Sequence, residues 1–200
     1  MKAYRARSYL RYAAVAPCLL VSIVALAFVS CAAKEEAKTY LPSDYTAWRR
    51  TTDVVLDYPI PGHEDHFRVI KMNETGFGIE PRAEDGRRRW EFPEGTIIVK
   101  EIFEGSKPVP AESPVMLTAM VKAPADPRAR GGWLWITKDL AANKESVITG
   151  SFCVNCHGNA NEAHPYGSKN VDEEFSDYVF FIPLKASASK PAAVDYESGY

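Results

Sequence analysis

Residues 96–103, TIIVKEIF, carry the clearest strand pattern in this chain. Side chains on a strand point alternately to its two faces, so Ile98, Lys100 and Ile102 share one face. A lysine on such an apolar face is costly unless it has a partner or loses its charge. The alternative is a lysine at a sheet edge, whose ammonium group extends to water.

Four further segments have the length and composition of strands. They are HFRVIKM at 66–72, VMLTAMVK at 115–122, GWLWITK at 132–138 and DYVFFIPL at 177–184. Ser43 and Asp44 favour a helix start, and we expect a helix in residues 43–57. The pattern therefore predicts an α+β domain, built as an antiparallel β-sheet with a few flanking helices.

The overall composition restricts the class of protein. A length of 200 residues, with 46% apolar and 25% charged residues, is typical of one globular domain. It excludes collagen, coiled coils and wholesale disorder. The net charge of −2, from 24 basic and 26 acidic residues, argues against nucleic-acid binding. Four cysteines are too few for a small disulfide-stabilised scaffold.

Residues 1–31 have the layout of a secretory signal peptide. Their only charges are those of Lys2, Arg5, Arg7 and Arg11, and residues 13–29 contain none. This apolar stretch is short for a membrane span, which needs about 20 residues. We therefore expect the rest of the chain to be exported.

Cys31 follows a small residue at the end of the apolar stretch and resembles the lipidated cysteine of bacterial lipoproteins. An ordinary cleaved signal and a retained single-span anchor are the alternatives. The lipoprotein interpretation is favoured and places a membrane-anchored domain in the periplasm or on the outer cell surface. Residues 32–42 are then a tether, residues 43–185 the folded domain and residues 186–200 a disordered tail.

The strongest chemical signal is CVNCH at residues 153–157. The spacing C-x-x-C-H is the attachment motif of c-type haem. Its two thiols reach the two vinyl groups of one porphyrin, and the adjacent imidazole ligates the iron. The single motif predicts one covalent haem c near the C-terminal end, held by Cys153 and Cys156, with His157 as the axial ligand.

Two other chemistries use a similar cysteine spacing. A redox dithiol normally follows a strand within a βαβ unit, and no such alternation surrounds VITGSF at 147–152. A structural zinc site needs two further ligands, for which His164 is the only nearby candidate. Haem c is favoured over both, and it agrees with export because this haem is attached outside the cytoplasm.

The residue on the other face of the iron decides between functions. A methionine or histidine there makes a six-coordinate electron-transfer cytochrome, whose redox partner protein is unknown. An open face instead admits a small molecule. Met72, Met116, Met120 and three other histidines are available in the exported part, so the sequence leaves both possibilities open.

The order of several segments resembles that in the cytochrome P-460 and cytochrome c′-β family, over residues 43–184. The segments are YTAWRR at 45–50, HFRVI at 66–70, FPEGTIIVKE at 92–101, LTAMVK at 117–122, GWLW at 132–135, the C-x-x-C-H motif and DYVF at 177–180. The resemblance implies an antiparallel sheet with flanking helices, usually a homodimer, and a five-coordinate haem c. In the P-460 branch a lysine is crosslinked to the porphyrin and the enzyme oxidises hydroxylamine. The c′-β branch lacks the crosslink and binds nitric oxide.

Three residues matter most for this resemblance. Lys100 matches the crosslinking lysine. Arg68 matches a distal-pocket arginine that can donate to a haem propionate or a bound anion, with a surface salt bridge as the alternative. Thr118 departs from the P-460 branch, which carries a proton-relaying glutamate at this position. A threonine cannot relay protons near neutral pH, so this departure counts against hydroxylamine oxidation.

We therefore expect an exported monohaem c-type cytochrome whose open distal face binds or converts nitric oxide or hydroxylamine. Thr118 favours binding, whereas Lys100 favours a hydroxylamine-oxidising enzyme, so the enzymatic assignment stays open. The distal face should be lined partly by residues 66–72, 96–103 and 115–120. Met116 and Met120 are expected to fill the core, and His164 to lie in a solvated loop.

Overall fold

The fold is that of a computed structural model, which describes residues 39–60, 65–105, 113–166 and 169–183. The predicted signal peptide with Cys31, residues 32–38 of the tether, His63 and the predicted tail at 186–200 lie outside the described residues.

Short strands form most of the regular structure in the described residues. One antiparallel sheet has the strand order β1-β2-β5-β6-β7-β8, and β3 pairs with β4 in a separate hairpin. Helix α1 follows the last strand and leads directly into a 3-10 helix. This arrangement confirms the predicted α+β class. The elements are a 3-10 helix at Ser43–Ala47, β1 at Arg49–Arg50, β2 at His66–Met72, β3 at Arg82–Glu84, β4 at Arg87–Arg89, β5 at Ile97–Glu104, β6 at Met116–Lys122, β7 at Trp133–Asp139, β8 at Lys144–Ile148, α1 at Phe152–Gly158 and a 3-10 helix at Asn159–Asn161.

The central strands β2, β5, β6 and β7 lie within one residue of their predicted ends. Their register places Lys100 of β5 opposite Ile70 of β2 and opposite Thr118 of β6. Thr118 in turn lies opposite Thr137 of β7. One transverse row of the sheet therefore carries an amine and two hydroxyl groups on a face that is otherwise largely apolar.

Two clusters of buried side chains pack on the two faces of the sheet, because side chains alternate along each strand. The first cluster shares its face with Lys100 and contains Met72, Phe92, Ile98, Met120, Trp133, Trp135 and Val179. The second lies on the opposite face and contains Leu41, Val99, Leu117, Ala119, Leu134 and Ile136. The first face is therefore the one that the motif helix α1 can cover.

The helix predicted for residues 43–57 is wrong beyond residue 47. After the 3-10 helix, Arg49 and Arg50 pair with the edge of β2, and Leu56 exchanges backbone hydrogen bonds with Arg68. Residues 51–55, TTDVV, are rich in β-branched side chains, which lose rotamer freedom in a helix. The Thr51 backbone N–H donates to the Ile70 carbonyl oxygen, so the segment continues along the edge of β2 and does not form a helix.

The strand predicted for residues 177–184 is also wrong. Asp177 and Tyr178 have φ values of 51° and 68°, in the left-handed region that a strand cannot use. Val179 is buried in the first cluster, and Phe180 and Phe181 line a cavity beneath the sheet. The apolar run therefore packs against a sheet face as a loop.

Glu145 of β8, a strand absent from the predictions, connects the sheet to the start of the described chain. Its carboxylate accepts hydrogen bonds from the backbone N–H groups of Tyr40 and Leu41, and Leu41 is buried in the second cluster. The last residues assigned to the tether thus belong to the packed domain.

Among the residues described, no helix has both the length and the apolar character required to cross a membrane.

Val99 and Val54 allow a matched test of the second cluster. Val99 is fully buried, whereas Val54 is 53% exposed. Val99→Ala should lower the free energy of unfolding by about 2 kcal/mol, because it removes two buried methyl groups and leaves a cavity. Val54→Ala should change it by less than about 0.5 kcal/mol. The denaturant midpoints of the two variants, compared at an unchanged m-value, measure both changes in the free energy of unfolding. Equal losses of stability in the two variants would contradict the assignment of Val99 to the core.

Candidate functional site

A cavity of about 450 Å³ lies beneath the Lys100 face of the sheet. Strands β2, β5, β6 and β7 line one side of it, and helix α1 and residues 179–181 line another. Most of the lining side chains are apolar. The polar ones are few and include Arg68, Lys100, Thr118, Thr137, Cys153, Cys156 and His157. An apolar pocket with a few converging polar groups is typical of a cofactor site.

Helix α1 carries all three chemically active residues of the C-x-x-C-H motif. Cys153, Cys156 and His157 lie at positions i, i+3 and i+4, which share one face of a helix. All three line the cavity, and both cysteines are free thiols. The three side chains that the motif assigns to a haem c therefore line the same cavity.

The ring of His157 is held in one orientation and one tautomer. Its Nδ1 donates a hydrogen bond to the Tyr178 carbonyl oxygen at 2.9 Å, so Nε2 keeps a free lone pair. The ring packs between Trp135 and Phe180, with centroid distances of 4.8 and 5.5 Å. Burial lowers the pKa of His157 to about 4, so the imidazole is neutral at physiological pH. A neutral imidazole with a free Nε2 is the form that ligates a metal.

Lys100 borders the same cavity from the sheet side. Burial, together with the positive charge of Arg68, lowers the pKa of the Lys100 ammonium group to about 8. The amine is therefore closer to its neutral, nucleophilic form than a surface lysine is. Cys153 and Cys156 border the same cavity as the amine.

Arg68 is 1% exposed and also lines the cavity, so the surface salt bridge considered as an alternative is wrong. Its Nη2 donates to the Tyr58 carbonyl oxygen, and its Nε donates to the Leu56 carbonyl oxygen at 3.4 Å. Its Nη1 is buried and has no hydrogen-bond partner among the described residues. A buried cation with an unused donor suits a negatively charged group in the cavity.

The methionines separate into two groups. Met116 and Met120 line the cavity, and Met120 also belongs to the first cluster. Met72 is fully buried in that cluster and does not line the cavity. A Cβ at Gly76 would lie 2.5 Å from the Met72 sulfur, which shows how closely the protein surrounds it. Only Met116 and Met120 remain as candidate iron ligands among the described methionines.

Several neighbours of the site were absent from the sequence analysis or misjudged there. The Tyr178 carbonyl carries no sequence signal, because every residue has one. His164 was expected in a solvated loop, but it is 9% exposed and packs edge-on against Phe180 at 4.9 Å. Tyr166 stacks on Tyr58 at 5.4 Å, and both line the cavity. The aromatic content of residues 164–181 was the available signal for this wall.

The model of the family described as Cytochrome P460 matches residues 42–181 of this chain. The chain belongs to the cytochrome P460 family. It is therefore a haem cytochrome, and the resemblance drawn from the sequence is confirmed. A search of curated proteins returned no match.

The residues of this cytochrome suit a haem on observations independent of the family. The cavity is largely apolar, His157 has a free Nε2, both motif thiols are unpaired, and Arg68 has a buried donor without a described partner. The described residues contain no group of three His, Cys, Asp or Glu side chains arranged to hold a metal ion. Among these residues, the cysteine pair has no further ligands of the kind that a zinc site needs.

The two thiols of the cytochrome differ in accessibility. Cys156 is exposed, whereas Cys153 is half-buried, and burial raises the pKa of the Cys153 thiol. Because the thiolate is the reactive form, iodoacetamide should label Cys156 several-fold faster than Cys153 in haem-free protein at pH 7.5. Peptide mass spectrometry over time measures the two rates, with urea-unfolded protein as the control. Equal rates in the folded protein, or a disulfide between the two, would contradict this geometry.

Proposed function

We propose that this cytochrome carries one covalently attached haem c in the cavity beneath the sheet. Thioether bonds from Cys153 and Cys156 hold it, and the Nε2 atom of His157 ligates the iron. The observation that carries the proposal is the hydrogen bond from His157 Nδ1 to the Tyr178 carbonyl, which leaves Nε2 free on the cavity that both thiols border. When bound, the haem supplies a redox-active iron with a coordination position for a small ligand.

The second axial position of the iron is left open in this proposal. The packing of Met120 in the first cluster, beside Ile98 and Trp135, supports this. Met116, in contrast, lines the cavity outside that cluster and is the main candidate ligand of the electron-carrier alternative. Met72 is excluded from the cavity by its burial in the core. His164 is held by a different contact, since its Nδ1 accepts the backbone N–H of Tyr166. The cavity wall formed by β2, β5 and β6 then surrounds a small molecule on the iron.

The ligand is a small nitrogen compound, and the polar groups of the cavity favour binding of nitric oxide. Arg68 offers a buried donor to a haem propionate or to an anionic ligand. Thr118 can donate and accept a hydrogen bond, but its hydroxyl group does not ionise near neutral pH and so cannot act as a general acid or base. Oxidation of hydroxylamine releases protons, and the row of Lys100, Thr118 and Thr137 contains no carboxylate to accept them.

A second candidate function is hydroxylamine oxidation by a haem that is crosslinked to Lys100. Two observations favour it: Lys100 lies on the cavity that carries the motif, and burial lowers the pKa of its amine to about 8.

A third candidate is a six-coordinate electron carrier, which is favoured by the presence of Met116 and Met120 in the cavity wall.

The proposal also includes the export of the protein. Covalent haem attachment takes place outside the cytoplasm, which agrees with residues 1–31 acting as a signal peptide and with Cys31 as a lipid-bearing residue. The membrane contact is then the lipid anchor, and a homodimer is carried over from the family.

The optical spectrum of the reduced protein separates these functions. We expect a five-coordinate, high-spin ferrous haem whose absorption shifts when nitric oxide is added. Denaturing mass spectrometry should show one haem retained by the wild type, and none retained covalently by the Cys153→Ala, Cys156→Ala double variant. A low-spin spectrum that is insensitive to nitric oxide would favour the electron carrier. In that case Met116→Leu and Met120→Leu would identify the ligand.

Lys100→Met tests the crosslinked alternative. In the proposed binding protein this variant keeps the wild-type Soret position and one covalent haem, because only the two thioethers attach the porphyrin. In a crosslinked enzyme the wild type has a strongly red-shifted Soret band, and Lys100→Met removes the shift. Tandem mass spectrometry of the peptide that contains Lys100 detects the added porphyrin mass directly. Lys71→Met is the control, because Lys71 pairs with Glu101 on the opposite face of the sheet.

A further inference from the structure

The loop that accepts the His157 hydrogen bond has an unusual backbone. Asp177 and Tyr178 are consecutive residues with φ values of 51° and 68°, and neither is a glycine. Non-glycine residues occupy this region only where the surrounding structure holds them there. The orientation of the Tyr178 carbonyl therefore depends on whatever restrains Asp177.

The side chain of Asp177 is that restraint. It is 2% exposed, and both of its carboxylate oxygens lie 2.7 Å from the Lys122 ammonium group. The carboxylate also accepts the Phe92 backbone N–H at 2.9 Å and the Trp133 indole N–H at 3.2 Å. The same indole donates to the Asp177 carbonyl oxygen at 3.0 Å. Because buried charges persist only when paired and hydrogen-bonded, these contacts hold both the side chain and the backbone of Asp177.

The neighbouring residue is restrained as well. Gly131 has a φ of 63°, and a Cβ there would lie 2.6 Å from the Tyr178 ring. The backbone N–H of Tyr178 donates to Asn161 Oδ1 at 3.3 Å. The carbonyl that His157 contacts is thus held by side chains from β6 and β7 and by the segment that follows α1.

We propose that Asp177, together with Lys122 and Trp133, is a positioning residue for the iron ligand. It holds the Tyr178 carbonyl on His157 Nδ1 and thereby strengthens the bond between His157 and the iron. This inference rests on the proposed function, in which His157 ligates haem. An acceptor held on the far ring nitrogen raises the basicity of a ligating imidazole. A more basic ligand stabilises ferric over ferrous iron, so the network lowers the reduction potential.

Two charge-neutral double variants isolate this effect. Asp177→Ala with Lys122→Met removes the ion pair and all side-chain acceptors at residue 177. Asp177→Asn with Lys122→Met removes the same charges but keeps one side-chain oxygen, which can accept from either the Phe92 backbone N–H or the Trp133 indole N–H, and asparagine tolerates positive φ. The two double variants therefore have the same net charge and differ in whether the side chain at residue 177 can accept a hydrogen bond that restrains the loop.

The iron–histidine stretching band in the resonance Raman spectrum of the ferrous holoprotein is the first readout, and the reduction potential is the second. The alanine double variant should shift the band to lower frequency and raise the potential. The asparagine double variant should return both values towards those of the wild type. A purely structural role would lower stability and leave both readouts unchanged.

Glu101→Ala with Lys71→Met is the matched control, because it is also charge-neutral and Lys71 and Glu101 form a comparably buried pair at 3.0 Å on the opposite face of the sheet. It should lower stability without moving either readout. If the alanine double variant does not retain haem, Trp133→Phe removes the indole donor alone and should give a smaller shift in the same direction.

If the iron–histidine band and the reduction potential are unchanged in the alanine double variant, the proposed role of Asp177 is overturned. The same holds for Trp133→Phe if that variant has to replace the alanine double variant. A wild-type protein that lacks the iron–histidine band would instead contradict the five-coordinate haem of the proposed function. The reduction potentials of the two double variants would then decide on Asp177, and equal potentials would overturn its role.

Discussion

The hydrogen bond from His157 Nδ1 to the Tyr178 carbonyl connects the two parts of the chain that form the site. One partner lies on α1, which carries both motif thiols, and the other lies in a loop that a buried ion pair holds against the sheet. Without this bond only the packing of Trp135 and Phe180 would orient the His157 ring, and either ring nitrogen could carry the proton. With it, the imidazole presents one defined nitrogen to the cavity.

The sheet supplies the remaining part of the site, and the register of its strands determines which groups meet. Antiparallel pairing of β2, β5 and β6 brings Ile70, Lys100 and Thr118 into one row. Arg68 lies two residues before Ile70 in β2 and therefore on the same face of the sheet. Its charge contributes to lowering the pKa of Lys100. Two cations near one apolar cavity disfavour further positive charge and favour electron-rich or anionic ligands. The chemistry of the site therefore depends on the motif residues of α1 and on this polar row, which line the same cavity.

Local patterns predicted much of this structure. The alternation in residues 66–72, 96–103, 115–122 and 132–138 is a property of each strand alone, and those strands lie within one residue of their expected bounds. The motif residues could be assigned to one site from their spacing, whereas Lys100 was assigned to that site from the family resemblance. The loop at 177–181 could not be predicted, because an apolar run of strand length reads the same whether it pairs in a sheet or covers a cavity. The contact that shapes it joins Asp177 to Lys122, 55 residues away, and leaves no local signal. His164 was misjudged for the same reason, since its burial depends on Phe180.

The outer strands of the main sheet are short and polar, and this restricts how two copies of the chain can associate. β1 contains two exposed arginines, while β8 is five residues long and alternates exposed and half-buried side chains that include Lys144 and Glu145. Short, charged margins of this kind oppose the addition of a strand from another molecule. Edge-to-edge strand addition between two copies is therefore disfavoured at both margins of the main sheet.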